Sequence, residues 1–363
     1  MKAIRYYGPG DIRLDDIPEP TVGPKQVKIK WRGQSVAMTG PLLCGSDIYS
    51  YYSIIPGLSP TITAPHPTTK ETLPITMGHE FSGTIVDIGS EVDRSKLVVG
   101  QHVTIEPSWS CLKETCVQCT TLETQNLCPK LALLGVSGGC GGLAEYAVVD
   151  EHQAHVLPEG VSLEMGAMME PLAVAWHAVK KANVKAGCSA LILGAGPVGI
   201  MILKILKVNG AGWVGISGRA EKRCELAQLH GASSAFNVAH SGVDVVQETM
   251  QGTEGRGVDV VFDCGGSQDT INAALASVRP GGLIMNVAVW KDIPAIDMNL
   301  MMYKEVVLAH SFVYAGDHEQ LLQTVAQGKF ADLTSLITRR IPMEDLVDRG
   351  IMALIHEKHE HGT

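Results

Sequence analysis

A histidine and a glutamate stand side by side between two glycines, in the stretch from Gly78 to Gly83. His79 and Glu80 offer an imidazole and a carboxylate, and Cys44 upstream and Glu170 downstream add a thiolate and a second carboxylate. Such a set can hold one Zn²⁺ and leave a position open for water or substrate, which is the pattern of a catalytic zinc site. Thiolate and imidazole ligands favour zinc over magnesium or calcium. The alternative is that His79 is only a hydrogen-bonded residue in a turn. In a Gly-His-Glu segment considered alone, this is the more common situation.

Four of the nine cysteines are clustered with the spacing C-x4-C-x2-C-x8-C. Cytosolic thiols stay reduced, so clustered cysteines there more often bind metal than form disulfides. Four thiolates this close in sequence suit a closed tetrahedral zinc site, which stabilises a loop and does no chemistry. The alternative is a set of incidental buried thiols. The residues concerned are Cys111, Cys116, Cys119 and Cys128.

Length and charge limit the class of protein. The chain has 363 residues, 45% of them hydrophobic, and a formal net charge of −9. This length favours two domains. No block of Lys and Arg occurs, so we expect neither nucleic acid nor a membrane surface as partner. No apolar run approaches the ~18 residues of a membrane span, and the N-terminus lacks a signal-peptide core. The expected location is the cytoplasm.

The secondary structure signals change character near residue 160. Residues 1–158 contain short β-favouring runs broken by Gly and Pro. Strands and helices then alternate to about residue 310, which predicts a parallel, doubly wound sheet. The stretch from 311 is expected to form helix and short strand and to pack with the first domain. The predicted helices are 162–181, with Ser162 as candidate N-cap, 198–208, 221–230 and 270–278; the predicted strands are 27–31, 81–86, 144–149, 190–193, 213–216, 258–262, 283–289 and 306–310.

A glycine-rich turn joins a predicted strand to a predicted helix and reads Gly194, Ala195, Gly196, Pro197, Val198, Gly199. The first Gly allows the tight turn, the second lets a pyrophosphate approach the backbone, and the third lets helix and strand pack closely. The helix N-terminus supplies amide donors and positive charge. Because the flanking strand and helix are both present, this motif predicts dinucleotide binding rather than a turn without a ligand.

The end of the next strand indicates which dinucleotide is preferred. An NAD-binding unit usually places Asp or Glu there to hold the ribose 2′-hydroxyl, whereas this sequence has Gly218. Ser217 then offers a hydroxyl, and Arg219, Lys222 and Arg223 offer three cations, to a 2′-phosphate. We therefore expect NADP(H) to be preferred over NAD(H). The alternative is that these cations are solvated charges on an exposed helix, and that Glu221 reaches the ribose.

Together these residues resemble the zinc-containing medium-chain alcohol dehydrogenase family over nearly the whole chain, and most nearly its 2,3-butanediol (diacetyl/acetoin) and sorbitol dehydrogenase branch. The resemblance implies an α/β two-domain fold, with a β-rich GroES-like catalytic domain (1–158 with 311–363) and a Rossmann domain (159–310). It also implies one catalytic zinc, one structural zinc and a homodimer or homotetramer. The segments that carry it are 44–47, 65–67, 73–80, 138–146 and 170–178.

By position in the family motifs, Cys44, His79 and Glu170 match the ligands of the catalytic zinc. Glu80 matches a carboxylate that in some relatives binds the metal directly, so Glu80 and Glu170 can exchange this role. Ser46 matches the hydroxyl that passes the substrate proton onward. The sequence departs from the family pattern in the segment 34–43, which looks like an insertion of about nine residues and is either a loop or a gene-model error. It departs again at Tyr49, where many relatives have His.

The expected activity is hydride transfer between NADP(H) and a small secondary alcohol, diol or ketone of the 2,3-butanediol/acetoin type. A rival is a polyol or threonine dehydrogenase that uses NAD(H). A non-enzymatic rival is an inactive dinucleotide-binding structural or sensor protein. Retention of Cys44, Ser46, His79 and Glu170 argues against the last of these.

Overall fold

The computed structural model describes residues 1–31, 47, 51–55 and 57–360, without the side chains of 357–360. Cys44, Ser46, Tyr49 and the 34–43 segment lie outside these described residues. The chain forms two compact units, Met1–Glu170 with Ala315–Glu360, and Pro171–Tyr314.

The first unit is built from antiparallel strands. A five-stranded sheet has the order β10-β6-β5-β3-β9, a three-stranded sheet the order β2-β1-β4, and β7 pairs with β8. Val27, Ile29, Ile85 and Val103 alternate along the strands of the five-stranded sheet and are fully or almost fully buried in its core. The strands are β1 (Lys2–Gly8), β2 (Asp11–Asp16), β3 (Gln26–Lys30), β4 (Ile75–Thr76), β5 (Ser82–Ile88), β6 (His102–Ile105), β7 (Ser108–Trp109), β8 (Ala132–Leu133), β9 (Tyr146–Asp150) and β10 (Ala154–Val156).

The second unit contains a six-stranded parallel sheet of order β13-β12-β11-β14-β15-β16. Its first strand in sequence, β11, lies at the centre, and the strand order reverses there, which is the doubly wound pattern. All four residues of β11 are buried, as expected for a strand covered on both faces. The strands are β11 (Ala190–Leu193), β12 (Val214–Gly218), β13 (Ser234–Asn237), β14 (Val258–Asp263), β15 (Val278–Asn286) and β16 (Val307–His310).

The α-helices are α1 (Leu163–Ala167), α2 (Met169–Ala182), α3 (Pro197–Val208), α4 (Glu221–Leu229), α5 (Val245–Gly252), α6 (Gln268–Ser277), α7 (Met298–Lys304), α8 (His318–Ala326) and α9 (Ala353–Glu360). Within the described ranges, no helix is both long and apolar enough to cross a membrane.

The single helix predicted for 162–181 is wrong in one respect, because it is interrupted at Met168 and forms α1 and α2. Pro171 has no backbone N–H and cannot donate to the carbonyl of Ala167, so the helix restarts with Pro171 in its first turn. Ser162 is confirmed as the N-cap, since its side chain accepts a hydrogen bond from the backbone N–H of Met165. The sequence patterns gave no signal for β13 or α5.

The short strand expected after residue 311 is also wrong, because no strand follows β16 among the described residues. The segment instead forms α8, short 3-10 turns, a π-helical turn (Leu346–Met352) and α9. Leu346 and Ile351 are buried together with Ile4 and Tyr6 of β1 in one hydrophobic cluster. This segment therefore packs on the first unit through one apolar helical face, and not through the alternating apolar residues of a strand.

Candidate active site

Three of the predicted zinc ligands converge inside the first unit. His79, Glu80 and Glu170 are all buried, and each offers a ligand atom within 4.8 Å of the others. His79 and Glu80 lie just before β5, separated from it by Phe81, and Glu170 is in the first turn of α2. The structure thus brings together residues that are about ninety positions apart in sequence, while Cys44 lies outside the described residues.

Glycines hold this ligand pair against a second loop. A Cβ at Gly78, whose φ is +98°, would lie 2.6 Å from the backbone nitrogen of Leu143. At that point Gly142 N–H donates to the Gly78 carbonyl at 2.8 Å, and Leu143 N–H donates to the Met77 carbonyl at 2.9 Å. Only glycine at position 78 fits both the left-handed backbone and the close contact. The Gly-His-Glu turn is therefore fixed by backbone packing before any metal binds.

Asp47 is a site residue that the sequence analysis did not single out. Its Oδ1 lies 3.7 Å from Nδ1 of His79, and both side chains are buried. Burial opposes protonation of His79, but the carboxylates of Asp47, Glu170 and Glu80 outweigh it and raise the pKa of the imidazole. Three carboxylates around one imidazole form a donor set suited to a divalent cation. A carboxylate beside a zinc-binding imidazole typically orients the ring, and the only sequence signal was the nearness of Asp47 to Cys44.

The four clustered cysteines also come together. The Sγ atoms of Cys111 and Cys119 are 3.8 Å apart, and those of Cys116 and Cys128 are 4.0 Å apart. At a zinc–sulfur distance of about 2.3 Å, a tetrahedral site separates two sulfurs by about 3.8 Å. All four sulfurs fall within one group of 4.8 Å. The geometry therefore fits a closed zinc site, with no position left for substrate.

The glycine-rich turn lies at the carboxyl end of β11, the central strand of the parallel sheet. Gly194 has φ of +119° and packs on the backbone of Cys264. A Cβ at Gly199 would collide with the carbonyl oxygen of Gly194. Among the described residues, a Cβ at Gly196 would meet only Nη1 of Arg223 within 4 Å, at 4.0 Å. The first and third glycines are thus required by packing, whereas the second leaves open space above the N-terminus of α3, which is the place for a pyrophosphate.

The residues predicted to select the cofactor surround the end of β12. Ser217 and Gly218 are buried, Arg219 is exposed, and Arg223 is half-buried. Burial lowers the pKa of Arg223, and no carboxylate among the described residues offsets this effect. Glu221, the rival ribose ligand, instead accepts a hydrogen bond of 2.7 Å from Nδ2 of Asn237.

One unit contains a sheet of the kind that binds dinucleotides, and the other contains two clusters of residues suited to zinc. Zinc-containing dehydrogenases combine these two features. Family models agree with this class: an alcohol dehydrogenase GroES-like domain matches residues 23–159, and a zinc-binding dehydrogenase matches residues 197–327. The chain belongs to the zinc-containing medium-chain alcohol dehydrogenase family, and it is an enzyme of the oxidoreductase class. The predicted two-domain fold with GroES-like and Rossmann parts is confirmed.

Individual relatives place the similarity in the butanediol dehydrogenase branch, as predicted. (R,R)-butanediol dehydrogenase of Neisseria gonorrhoeae is 34% identical over 356 residues, covering 98% of this chain and 96% of that protein. The crystal structure of 2R,3R-butanediol dehydrogenase from Bacillus subtilis superposes with a TM-score of 0.84 at 33% identity, covering 98% and 96% of the two chains. A protein of Sinorhizobium meliloti solved with NADP superposes with a TM-score of 0.76 at 29% identity, covering 90% and 89%.

Proposed function

We propose that this enzyme transfers a hydride between NADP(H) and a small vicinal diol or hydroxyketone of the 2,3-butanediol/acetoin type, with a zinc ion at the Gly-His-Glu site. The observation that carries the proposal is the buried convergence of His79, Glu80 and Glu170. Buried carboxylates and an imidazole at this spacing are costly unless they serve a cation or one another.

Cys44, His79 and Glu170 are the proposed ligands, with Glu80 as the alternative carboxylate. A zinc ion bound there polarises an alcohol or carbonyl oxygen as a Lewis acid. The Asp47 carboxylate lies 3.7 Å from Nδ1 of His79 and adds negative charge beside the imidazole. Ser46 accepts the proton of the substrate hydroxyl, the role of its counterpart in the family. The cysteine cluster holds the second zinc and stabilises its own loop.

The NADP(H) preference rests on the residues at the end of β12. A Cβ at Gly218 would lie 2.8 Å from Cβ of Ala195, so there is no room for the acidic side chain that would hold a ribose 2′-hydroxyl and repel a 2′-phosphate. Arg223, whose guanidinium lies beside the open space at Gly196, and the exposed Arg219 provide positive charge. The contact with Asn237 directs the carboxylate of Glu221, at the start of α4, to another partner.

The substrate class is supported by the relatives, since proteins 33–34% identical over nearly the full chain are named as acting on 2,3-butanediol. A polyol or threonine dehydrogenase remains the rival, because the same fold and metal site serve those substrates in the family. Loss or gain of a single methylene or hydroxyl contact changes specificity by only about 1–3 kcal/mol in an apolar pocket. A panel of substrates is therefore needed to separate them.

The test compares kcat/KM for NADPH and NADH with diacetyl and acetoin, and for both oxidised cofactors with 2,3-butanediol, sorbitol and threonine. A charged hydrogen bond to the 2′-phosphate contributes about 1.5–3 kcal/mol, so we expect roughly a 10- to 100-fold preference for NADPH. Arg219→Ala and Arg223→Ala should reduce it, while Lys185→Ala, which removes an exposed cation before the amino end of β11, is the matched control. A wild-type preference for NADH refutes the cofactor assignment, and turnover of sorbitol or threonine alone refutes the substrate assignment.

A further inference from the structure

A second carboxylate–imidazole cluster lies in the first unit, apart from the residues assigned above. Glu106 follows the last residue of β6, His155 is the middle residue of β10, and His318 is the first residue of α8. Strands β6 and β10 pair antiparallel, with His155 opposite Thr104 and the Glu106 N–H donating to the Gln153 carbonyl at 2.8 Å. This register places Glu106 and His155 diagonally on one face of the sheet.

Both imidazoles meet the same oxygen of Glu106. Nε2 of His155 is 2.9 Å and Nδ1 of His318 is 3.3 Å from Oε2. The two rings stack with their centroids 5.0 Å apart and an interplanar angle of 13°. Each residue offers one ligand atom within 4.8 Å of the other two. The other carboxylate oxygen, Oε1, accepts a hydrogen bond of 3.0 Å from Oγ of Ser108, which fixes the orientation of Glu106.

The three side chains differ in burial. His318 is 1% exposed, whereas Glu106 and His155 are half-buried.

The cluster also borders a cavity, which the partly exposed side chains of Glu106 and His155 reach. Its three side chains line a cavity of about 1030 Å³ within the first unit. Acidic residues Glu151 and Glu319 line the same cavity, and their charge favours a cation over an anion there. A site with three protein ligands and an open side takes water as the fourth ligand.

We propose that Glu106, His155 and His318 form a metal-binding site for Zn²⁺, distinct from the Gly-His-Glu and four-cysteine sites. Two imidazoles and one carboxylate are a ligand set that zinc uses, and they suit it better than magnesium or calcium. Bound zinc would join α8 to the β6–β10 edge of the strand unit. The proposal does not depend on the substrate or cofactor assigned above.

Cobalt titration of the zinc-loaded full-length protein tests the site, because the donors differ from those of the cysteine-containing sites. In protein whose metal analysis shows zinc at the other two sites only, we expect one further Co²⁺ per chain to bind, with visible d–d absorption and without thiolate-to-cobalt charge transfer. Zn²⁺ should compete with it. Mass spectrometric metal analysis after desalting gives the stoichiometry of the resident zinc in the same samples.

Glu106→Gln and His155→Asn should each weaken this binding at least 100-fold, while the zinc retained at the other two sites stays unchanged. His152→Asn is the matched control, since His152 lines the same cavity and is not part of the cluster. His155 is only half-buried, so its variant tests the site even where Glu106→Gln fails to fold. Equal cobalt binding by wild type and the cluster variants refutes the proposal. Absence of an additional cobalt in the wild type means that the cluster is a hydrogen-bonded network only.

Discussion

Alanine at the second glycine of the dinucleotide turn, Gly196, should weaken cofactor binding, whereas alanine at the third, Gly199, should lower the stability of the protein. In Gly196→Ala, the only atom of the described residues within 4 Å of the new methyl group is Nη1 of Arg223, at 4.0 Å. The backbone, with φ of −73° and ψ of 176°, is allowed for alanine. Alanine is the poorer N-cap by several tenths of a kcal/mol, and it restricts the unfolded chain by about 0.4–1 kcal/mol. These two effects nearly cancel, so we expect the unfolding free energy of the apoprotein to change by less than about 1 kcal/mol.

The same methyl group fills the space assigned to the pyrophosphate. Loss of one or two backbone hydrogen bonds to the charged phosphates costs about 1.5–3 kcal/mol, which is roughly a 10- to 100-fold weaker Kd for NADPH. Gly199→Ala, in contrast, collides with the Gly194 carbonyl and should lower the thermal stability of the apoprotein itself. Nucleotide fluorescence titration and thermal melts without nucleotide measure the two effects. Unchanged NADPH binding by a well-folded Gly196→Ala protein would refute the placement of the pyrophosphate.

Three further outcomes follow from the same structure. Cys116→Ala should lose about one zinc per chain and have a lower melting temperature. Cys188→Ala, which lies outside the cluster, should keep its zinc. Equal zinc content in the two variants would contradict the closed site. Ser46→Ala should slow turnover by roughly 10²- to 10⁴-fold with unchanged zinc content, and an unaltered rate would mean that the proton leaves by another route. Burial opposes ionisation of Asp259, but hydrogen bonds from Ser189 and the 2.7 Å contact with Arg279 outweigh it and lower its pKa below 3.8. The contribution of ionised Asp259 to the unfolding free energy is present above pH 3.8 and is lost as pH falls through the lower folded-state pKa. Asp259→Asn should therefore cost about 0.5–1 kcal/mol at pH 7, a value discounted for partial exposure, and the difference from wild type in denaturant melts should shrink towards pH 3.

The sequence predicted those features that depend on local spacing. The glycine turn, the strand before it and the helix after it are contiguous, and the structure places β11, Gly194 and α3 as expected. The four cysteines lie within one short loop, so their convergence also followed from spacing. For β11 the signal was a short continuous apolar run that ends at the glycine turn, and all four of its residues are buried.

Features that depend on tertiary contacts were not predictable in the same way. The break between α1 and α2 follows from the missing N–H of Pro171. A pattern of helix propensity over the whole segment does not detect the effect of this single residue. The segment after residue 311 is helical because Leu346 and Ile351 are buried beside β1, a contact more than 300 residues distant in sequence. Glu106, His155 and His318 show no motif at all, since only the pairing of β6 with β10 and the docking of α8 bring them together.

The central claim is that zinc at the Gly-His-Glu site supports hydride transfer between a nicotinamide cofactor and a diol. The most direct measurement follows nicotinamide absorbance when 2,3-butanediol is added to zinc-loaded protein with NADP⁺, in parallel with metal analysis, for wild type and His79→Ala. We predict NADPH formation by the wild type, and in His79→Ala the loss of turnover together with about one zinc per chain while the four-cysteine zinc is retained. Full turnover by a His79→Ala protein that lacks this zinc would contradict the account.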